Sequence, residues 1–222
     1  QFGSNKEFTG YPRNLGKDQH LLEDMGVDVI YSPELDEIYP EGLGSVPSVS
    51  AGKIGEILEG SSRPGHFSGM LTVVKRLFDQ VGPEIAVFGE KDAQQYFLIS
   101  RMVDDHQIPI RLLQVPTVRD NYGLALSSRN GFLSQKGIEI ARGVSQAREL
   151  ASKAMDPLLA RSEVRQFLNR ADGVIVDYVE IVNAESFMPI QTKNFDGFGR
   201  LVIAVVVDGV RLLDTELFEF GG

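Results

Sequence analysis

Short apolar runs alternate with stretches of helical periodicity through the first half of the chain, and that alternation restricts the fold more than any other feature. Leu15, Leu21, Leu22 and Met25 share one helical face, with Gly26 standing where a C-cap belongs. Val27 to Tyr31 (VDVIY) reads as a short buried strand, stopped by Ser32-Pro33. Phe67, Met70, Leu71, Val74, Leu77 and Phe78 then repeat at the i, i+3, i+4, i+7 spacing of an amphipathic helix that Gly82-Pro83 ends. Ile85 to Phe88 is the next strand. Asp92 can cap a helix carrying Tyr96, Ile99 and Val103, and Arg111 to Val115 is a further strand. Strands separated by helices imply parallel pairing through crossover connections, so the fold class is α/β with a parallel sheet.

The pattern changes after Pro116. Ser134 can cap a long helix running to about Ser152, and Pro157 to Arg170 reads as another. Strands follow at Val174 to Val182, Leu201 to Val207 and Val210 to Thr215, with Asp208-Gly209 marking a tight hairpin. This predicts a second, smaller α+β domain, with residues 1–117 forming the first domain and 118–222 the second. The Gly/Ser/Pro-rich stretch from Glu41 to Gly65, with a short helix expected around Ile54 to Leu58, reads as an extended connection or flap.

Composition narrows the function. A chain of 222 residues with 42% hydrophobic and 24% charged residues can bury a sizeable core. No apolar run is long enough to cross a bilayer, and the polar opening QFGSNKEF does not read as a signal peptide. With no cysteine, thiolate metal sites and cysteine nucleophiles are impossible, which fits a reducing cytosol. A net charge of −9 argues against general nucleic-acid binding, so an anionic ligand must be met by a local cluster of cations and backbone donors.

Three segments offer such clusters. Gly89-Glu90-Lys91-Asp92 follows a strand and opens a helix, where free N–H groups, the positive end of the helix dipole and the Lys91 charge can meet an anion. The bland alternative is a solvated turn whose lysine pairs with its acidic neighbours. Ser127-Ser128-Arg129-Asn130 follows the turn Asn121-Tyr122-Gly123, and its hydroxyls, guanidinium and amide can grip a phosphate chain. It can equally be a polar loop with a helix cap. Arg63-Pro64-Gly65-His66 precedes the amphipathic helix, where Arg63 and His66 can reach an anion or a proton in transfer, or His66 can be a satisfied residue at a helix start. The three histidines show no metal-ligand spacing, and neither a G-x-S-x-G elbow nor a P-loop is present.

Four blocks in order, QFGSNKEFTGYPRNL, SSRPGHFSGMLTVVKRLF, VFGEKDAQQ and VPTVRDNYGLALSSRN, resemble the pantothenate synthetase family, with weaker patterning through VDYVEIV and the final hairpin. The resemblance implies a Rossmann-like nucleotidyl-transferase domain followed by a smaller C-terminal lid. It implies ATP with Mg2+, pantoate and β-alanine as small-molecule partners, a pantoyl-adenylate intermediate, a homodimer and a cytoplasmic setting. It assigns Gln1 and Gln95, with Arg63 and His66, to pantoate. Gly89, Lys91, Asp92, Val118, Ser127, Ser128 and Arg129 are assigned to ATP, with Lys91 and the Ser127–Ser128–Arg129 loop catalytic. No residue is implied as a metal ligand. The family's HxGH-containing segment is expected before Gln1 and is not in this sequence, which raises the alternative of an inactive fragment; the shared phosphate chemistry leaves another nucleotidyl transferase of the same group as a second alternative.

Overall fold

A computed structural model of the chain describes residues 14–42 and 49–221. By packing, the chain divides into two units, Gln1–Pro83 and Glu84–Gly222, so the division expected near Thr117 falls inside the second unit.

In the first unit, helix α1 (Leu15–Asp24) starts where the Asn14 side chain accepts from Lys17 N at 3.0 Å. It passes through Met25 to Gly26, whose φ of 77° ends it as expected. The strand expected at Val27 to Tyr31 does not form. An apolar run becomes a strand only when a neighbour offers hydrogen bonds, and no described strand pairs with this one; Val29 is 79% exposed and Tyr31 bonds Gln80 through its hydroxyl instead. After the one-turn helix α2 (Leu35–Ile38), the short helix predicted around Ile54 to Leu58 is in part a 3-10 turn (Lys53–Glu56), followed by the one-turn α3 (Glu59–Ser62). Helix α4 (His66–Val81) is the predicted amphipathic helix, bounded by Gly65 and Gly82 in left-handed backbone and burying Phe67, Met70, Leu71 and Phe78. Its outer face ties down the preceding chain: Arg76 donates to Ile38 O and Gln80 to Glu37 O, at 3.2 and 2.8 Å.

The second unit opens with strand β1 (Ile85–Gly89), helix α5 (Ala93–Asp105) and strand β2 (Arg111–Val115). The strands pair in parallel from Ile85↔Arg111 to Gly89↔Val115, the pairing that a crossover helix requires. Helix α5 buries Ala93, Leu98, Ile99, Met102 and Val103.

The rest of this unit is a separate antiparallel sheet of order β3-β4-β5, made of Val174–Asn183, Gly197–Val207 and Val210–Phe220. Both sheets thus match the expected α/β and α+β arrangement. The long helix predicted from Ser134 to Ser152 is two helices, α6 (Gln135–Ser145) and α7 (Ala147–Ala151). The ladder tightens between them, where Gln146 N bonds Gly143 O and Glu149 N bonds Gln146 O three residues back, and Gly143 weakens the helix just before the break. Helix α8 (Pro157–Arg170) matches its prediction, with Asp156 accepting from Leu158 N and Leu159 N and Pro157 in the first turn. The core lies between these helices and the sheet: Ala141, Ala160, Val164 and Leu168 face Ile181, Leu201, Ile203 and Val205.

The β4–β5 hairpin turns on Asp208 and Gly209, with φ of 51° and 74°, the left-handed pair that a two-residue turn of this twist needs. The Asp208 carboxylate also accepts from Ser134 N and Ser134 Oγ, at 3.1 and 2.5 Å, while Ser134 Oγ accepts from Gly137 N at 3.0 Å to cap α6.

Candidate functional site

The carboxyl end of β1 delivers the backbone to a turn. Glu90 N donates to Val115 O at 2.8 Å, which closes the end of the parallel pair, and Lys91 follows at once. Asp92 is the N-cap residue of α5 but makes no side-chain cap bond, so it does not satisfy the N–H groups of the first turn, where the helix dipole presents its positive end. Gln95 lies in that first turn and is half-buried. Lys91 is half-buried too. Burial holds its ammonium group below the ordinary lysine pKa; Asp92 and Asp214 pull the value back up, while Arg129 and Arg119 push it further down. Lys91 is thus a lysine among two carboxylates and two guanidiniums, all in one packed unit.

Arg129 reaches this neighbourhood from a loop braced at several points. Arg119 and Ala125 form an isolated antiparallel bridge, and Leu126 N donates to Val118 O at 2.9 Å, so the Val118 carbonyl is already engaged while its side chain is exposed. Asp120 accepts from Tyr122 N and Leu124 N, at 2.9 and 3.0 Å, and from Arg142 Nε at 3.0 Å. Although desolvation opposes it, those N–H groups and Arg142 hold the Asp120 carboxyl below the usual carboxylate range. Arg142 also lies 3.9 Å over the Tyr122 ring. Gly123, at φ 87°, makes the turn and is boxed in by Ser145 Oγ.

The loop then runs into a 3-10 turn, Ser128–Phe132. Ser127 caps it, accepting from Arg129 N at 3.2 Å, so the helix-cap role set beside phosphate binding in the sequence is real for this hydroxyl. Ser128 is exposed and Arg129 half-buried. Asn130 Nδ2 donates to Ala125 O, whereas its buried Oδ1 finds no partner among the described residues. Asn130, Lys91 and Asp214 line a small cavity of about 10 Å³, at the lower limit for one water molecule and far too small for a nucleotide.

Arg119, Arg200 and Asp214 complete the surroundings, and sequence reasoning did not single them out. Arg119 donates to both carboxylate oxygens of Asp214, at 2.9 and 2.8 Å. Burial works against the Arg119 charge, but Asp214, Glu216 and Glu90 hold its pKa above the ordinary value. Arg200 of β4 donates to Glu90 at 3.0 Å. The available signal was a charged residue inside an apolar strand: Arg200 in GFGRLVIAVVV and Asp214 in VRLLDTELF are 9% and 7% exposed.

Of the other predicted site residues, Gly89 ends β1, and Arg63 and His66 sit together in the first unit, their Nη1 and Nε2 atoms 3.1 Å apart at the start of α4. Gln1 lies outside the described residues. The second unit therefore assembles Lys91, Asp92 and Arg129, with Gln95 on the same helix, and the first assembles Arg63 with His66. Among the described residues no group of three or more His, Asp or Glu could hold a metal ion, and no helix is long and apolar enough to cross a membrane.

Comparison with known proteins decides the family. The model of the pantoate-beta-alanine ligase family matches residues 1–217. The chain belongs to the pantoate–β-alanine ligase family. It is 41% identical to pantothenate synthetase of Aquifex aeolicus (strain VF5) over 221 residues, which cover 97% of this chain and 77% of that protein. Its fold is similar to the crystal structure of pantothenate synthetase from Thermus thermophilus, with a TM-score of 0.89 and 38% identity over 97% of this chain and 79% of that one. It is also similar to a pantoate–β-alanine ligase from Francisella tularensis crystallised with "Beta-gamma ATP and Beta-alanine", at a TM-score of 0.77 and 33% identity over 97% and 74% of the two chains. The parallel β1–α5–β2 unit and the antiparallel β3-β4-β5 sheet are thus elements of a pantoate–β-alanine ligase fold.

Proposed function

We propose that this chain carries most of an ATP-dependent ligase that joins pantoate to β-alanine through pantoyl adenylate. The observation that carries the reading is the setting of Lys91: half-buried at the carboxyl end of a parallel strand, beside a helix N-terminus, with Arg129 close enough to perturb its pKa.

In the first step a pantoate carboxylate oxygen attacks the α-phosphorus of ATP, the bond from that phosphorus to the bridging oxygen breaks, and pyrophosphate leaves. The carboxylate is already ionised at neutral pH, so no general base is needed. The protein must align two anions and neutralise charge growing on phosphate oxygens. Lys91 and Arg129 supply full charges, and Ser127, Ser128 and the α5 N-terminus supply N–H and O–H donors. Neutral Gln95 and Gln1 can hold pantoate without competing for its nucleophilic oxygen, and Arg63 and His66 are assigned to the same substrate. In the second step the amine of β-alanine attacks the acyl carbon, AMP departs with the bonding pair, and the amine proton passes to solvent.

Magnesium enters with ATP. Without a three-carboxylate cluster among the described residues, the ion would be held chiefly by the phosphates and water, as hard, reluctantly dehydrated Mg2+ usually is. Residues 118–222 are assigned the role of lid, and Val118 is assigned to the adenine side of the site. The reading carries with it a homodimer and a cytoplasmic location, where ATP is made.

The test is product analysis with the full-length enzyme. Pyrophosphate and AMP should form only when pantoate and ATP are both present, and Lys91→Ala should lower kcat by about 10²-fold or more. Formation of ADP would overturn the adenylate, and adenylation of phosphorylated acceptors in place of pantoate would move the chain to another nucleotidyl-transferase activity.

A further inference from the structure

We propose that Glu90 and Arg200 form a latch that positions Lys91, fastening the turn after β1 to the three-stranded sheet so that the Lys91 charge stands at a fixed place when phosphate charge develops. The proposal rests on the assignment of Lys91 to the phosphates made above.

Glu90 is held at both ends. Its N–H is bonded to Val115 O at 2.8 Å, Oε1 accepts from Arg200 Nη1 at 3.0 Å, and Oε2 lies 3.4 Å from Thr117 N. The residue before Lys91 therefore has neither its backbone nor its side chain free to shift. The partner is equally constrained. Arg200 Nη1 is 3.5 Å from Thr215 Oγ1, whose own proton goes to Leu201 O at 2.8 Å, leaving that oxygen as an acceptor toward Arg200. Thr215 N in turn donates to Asp214 Oδ1 at 2.8 Å. Asp214 takes both Nη groups of Arg119, which also donates to Gly123 O at 3.1 Å.

One hydrogen-bonded run thus leads from the Lys91 turn, through strands β4 and β5, to the loop that continues into Ser127, Ser128 and Arg129. The two cationic elements assigned to the phosphates are anchored to the same pair of strands. A surface ion pair would have no such reach, but here the paired side chains of Arg200 and Glu90 are only 11% and 25% exposed and bridge 110 residues of sequence. Placement matters because electrostatic stabilisation of a transition state falls steeply when a charge is displaced by an ångström. Glu90 touches no reacting atom in this scheme; it acts through its neighbour.

The test is a kinetic cycle in the full-length enzyme with Glu90→Ala, Lys91→Ala and the double variant. Glu90→Ala should lower kcat by about tenfold while changing the KM for ATP less than about threefold. In the Lys91→Ala background the same change should alter kcat by less than about twofold, because the group being positioned is already gone. An equal fold-loss in both backgrounds overturns the latch and makes Glu90 merely structural. If Lys91→Ala leaves kcat near wild type, the Lys91 assignment fails, and the latch fails with it. Should Glu90→Ala not fold, Arg200→Lys serves in the same cycle, keeping a cation but losing the forked reach. It should show a smaller loss in kcat and the same disappearance of that loss when Lys91 is absent.

Discussion

Asp214→Ala should be among the most damaging single changes in the second unit, and the structure shows why. Its carboxylate receives two bonds from Arg119, at 2.9 and 2.8 Å, and one from Thr215 N at 2.8 Å. It also lies 3.7 Å from Arg148 Nε, which finds no hydrogen-bond partner among the described residues. The side chains of Arg119 and Asp214 are 17% and 8% exposed, so water can replace little of what is lost. Removing one partner of a buried pair costs about 3–5 kcal/mol because the other charge is stranded. Glu216, 3.8 Å from Arg119, softens the loss, so we expect about 3 kcal/mol, near the lower end of that range. At ~2–4 °C per kcal/mol for a chain of this size, that is a fall of roughly 6–12 °C in Tm. Asp214→Asn keeps one acceptor but turns an amide N–H toward a guanidinium, for about half the cost. Urea unfolding should show a lower midpoint at unchanged slope. Combining Asp214→Ala with Arg119→Ala should cost at least ~1 kcal/mol less than the sum of the single changes. A loss below about 0.5 kcal/mol for Asp214→Ala, or simple additivity, would show that the pair behaves as an exposed one and would refute this reasoning. Losing Asp214 also removes a pull toward protonated Lys91, so the alkaline limb of activity should move to lower pH.

Three further outcomes are expected. A lysine whose folded pKa lies below its unfolded value holds its proton less tightly when folded, so stability should rise with pH between those two values. Lys91→Met should flatten that rise, and the alkaline limb of kcat, set by loss of the Lys91 charge, should lie below the ordinary lysine range and move up in Lys91→Arg; an unmoved limb assigns it to another group. Gly137→Ala would set a Cβ 2.0 Å from Asp208 Oδ2, so it should destabilise by about 1–3 kcal/mol despite alanine's better helix propensity, as thermal unfolding would register; a gain in stability would refute the clash. Leu168→Ala, at a fully buried position, should cost about 2–5 kcal/mol in urea titrations, and a cost under about 1 kcal/mol would mean the core collapses around the gap.

What could be read from the sequence was what short-range chemistry decides. Pro157 announces the start of α8, Gly65 and Gly82 bracket α4, and Asp208-Gly209 announces the hairpin, because each depends on a few adjacent residues. Val27 to Tyr31 misled because its apolar pattern says nothing about whether a partner edge is present. The break at Gln146 escaped because its backbone stays right-handed, and only the hydrogen bonding tightens. At the site, Lys91 and Arg129 stand out by type and neighbourhood. Arg119, Arg200 and Asp214 do not, nor does the pairing of Glu90, since their meaning lies in partners 95 or 110 residues away, and no local pattern encodes those pairings.

Asp208 serves two elements at once, and that ties their errors together. A slip of the hairpin by one residue would turn the buried apolar face of β4 away from the core, carry the Asp208 carboxylate away from Ser134 and unbrace the start of α6, 74 residues upstream. A mispaired sheet therefore cannot be quietly tolerated: it is exposed by a frayed helix elsewhere. The tip of the hairpin acts as a proofreading contact, rewarding only the alignment in which both structures are complete.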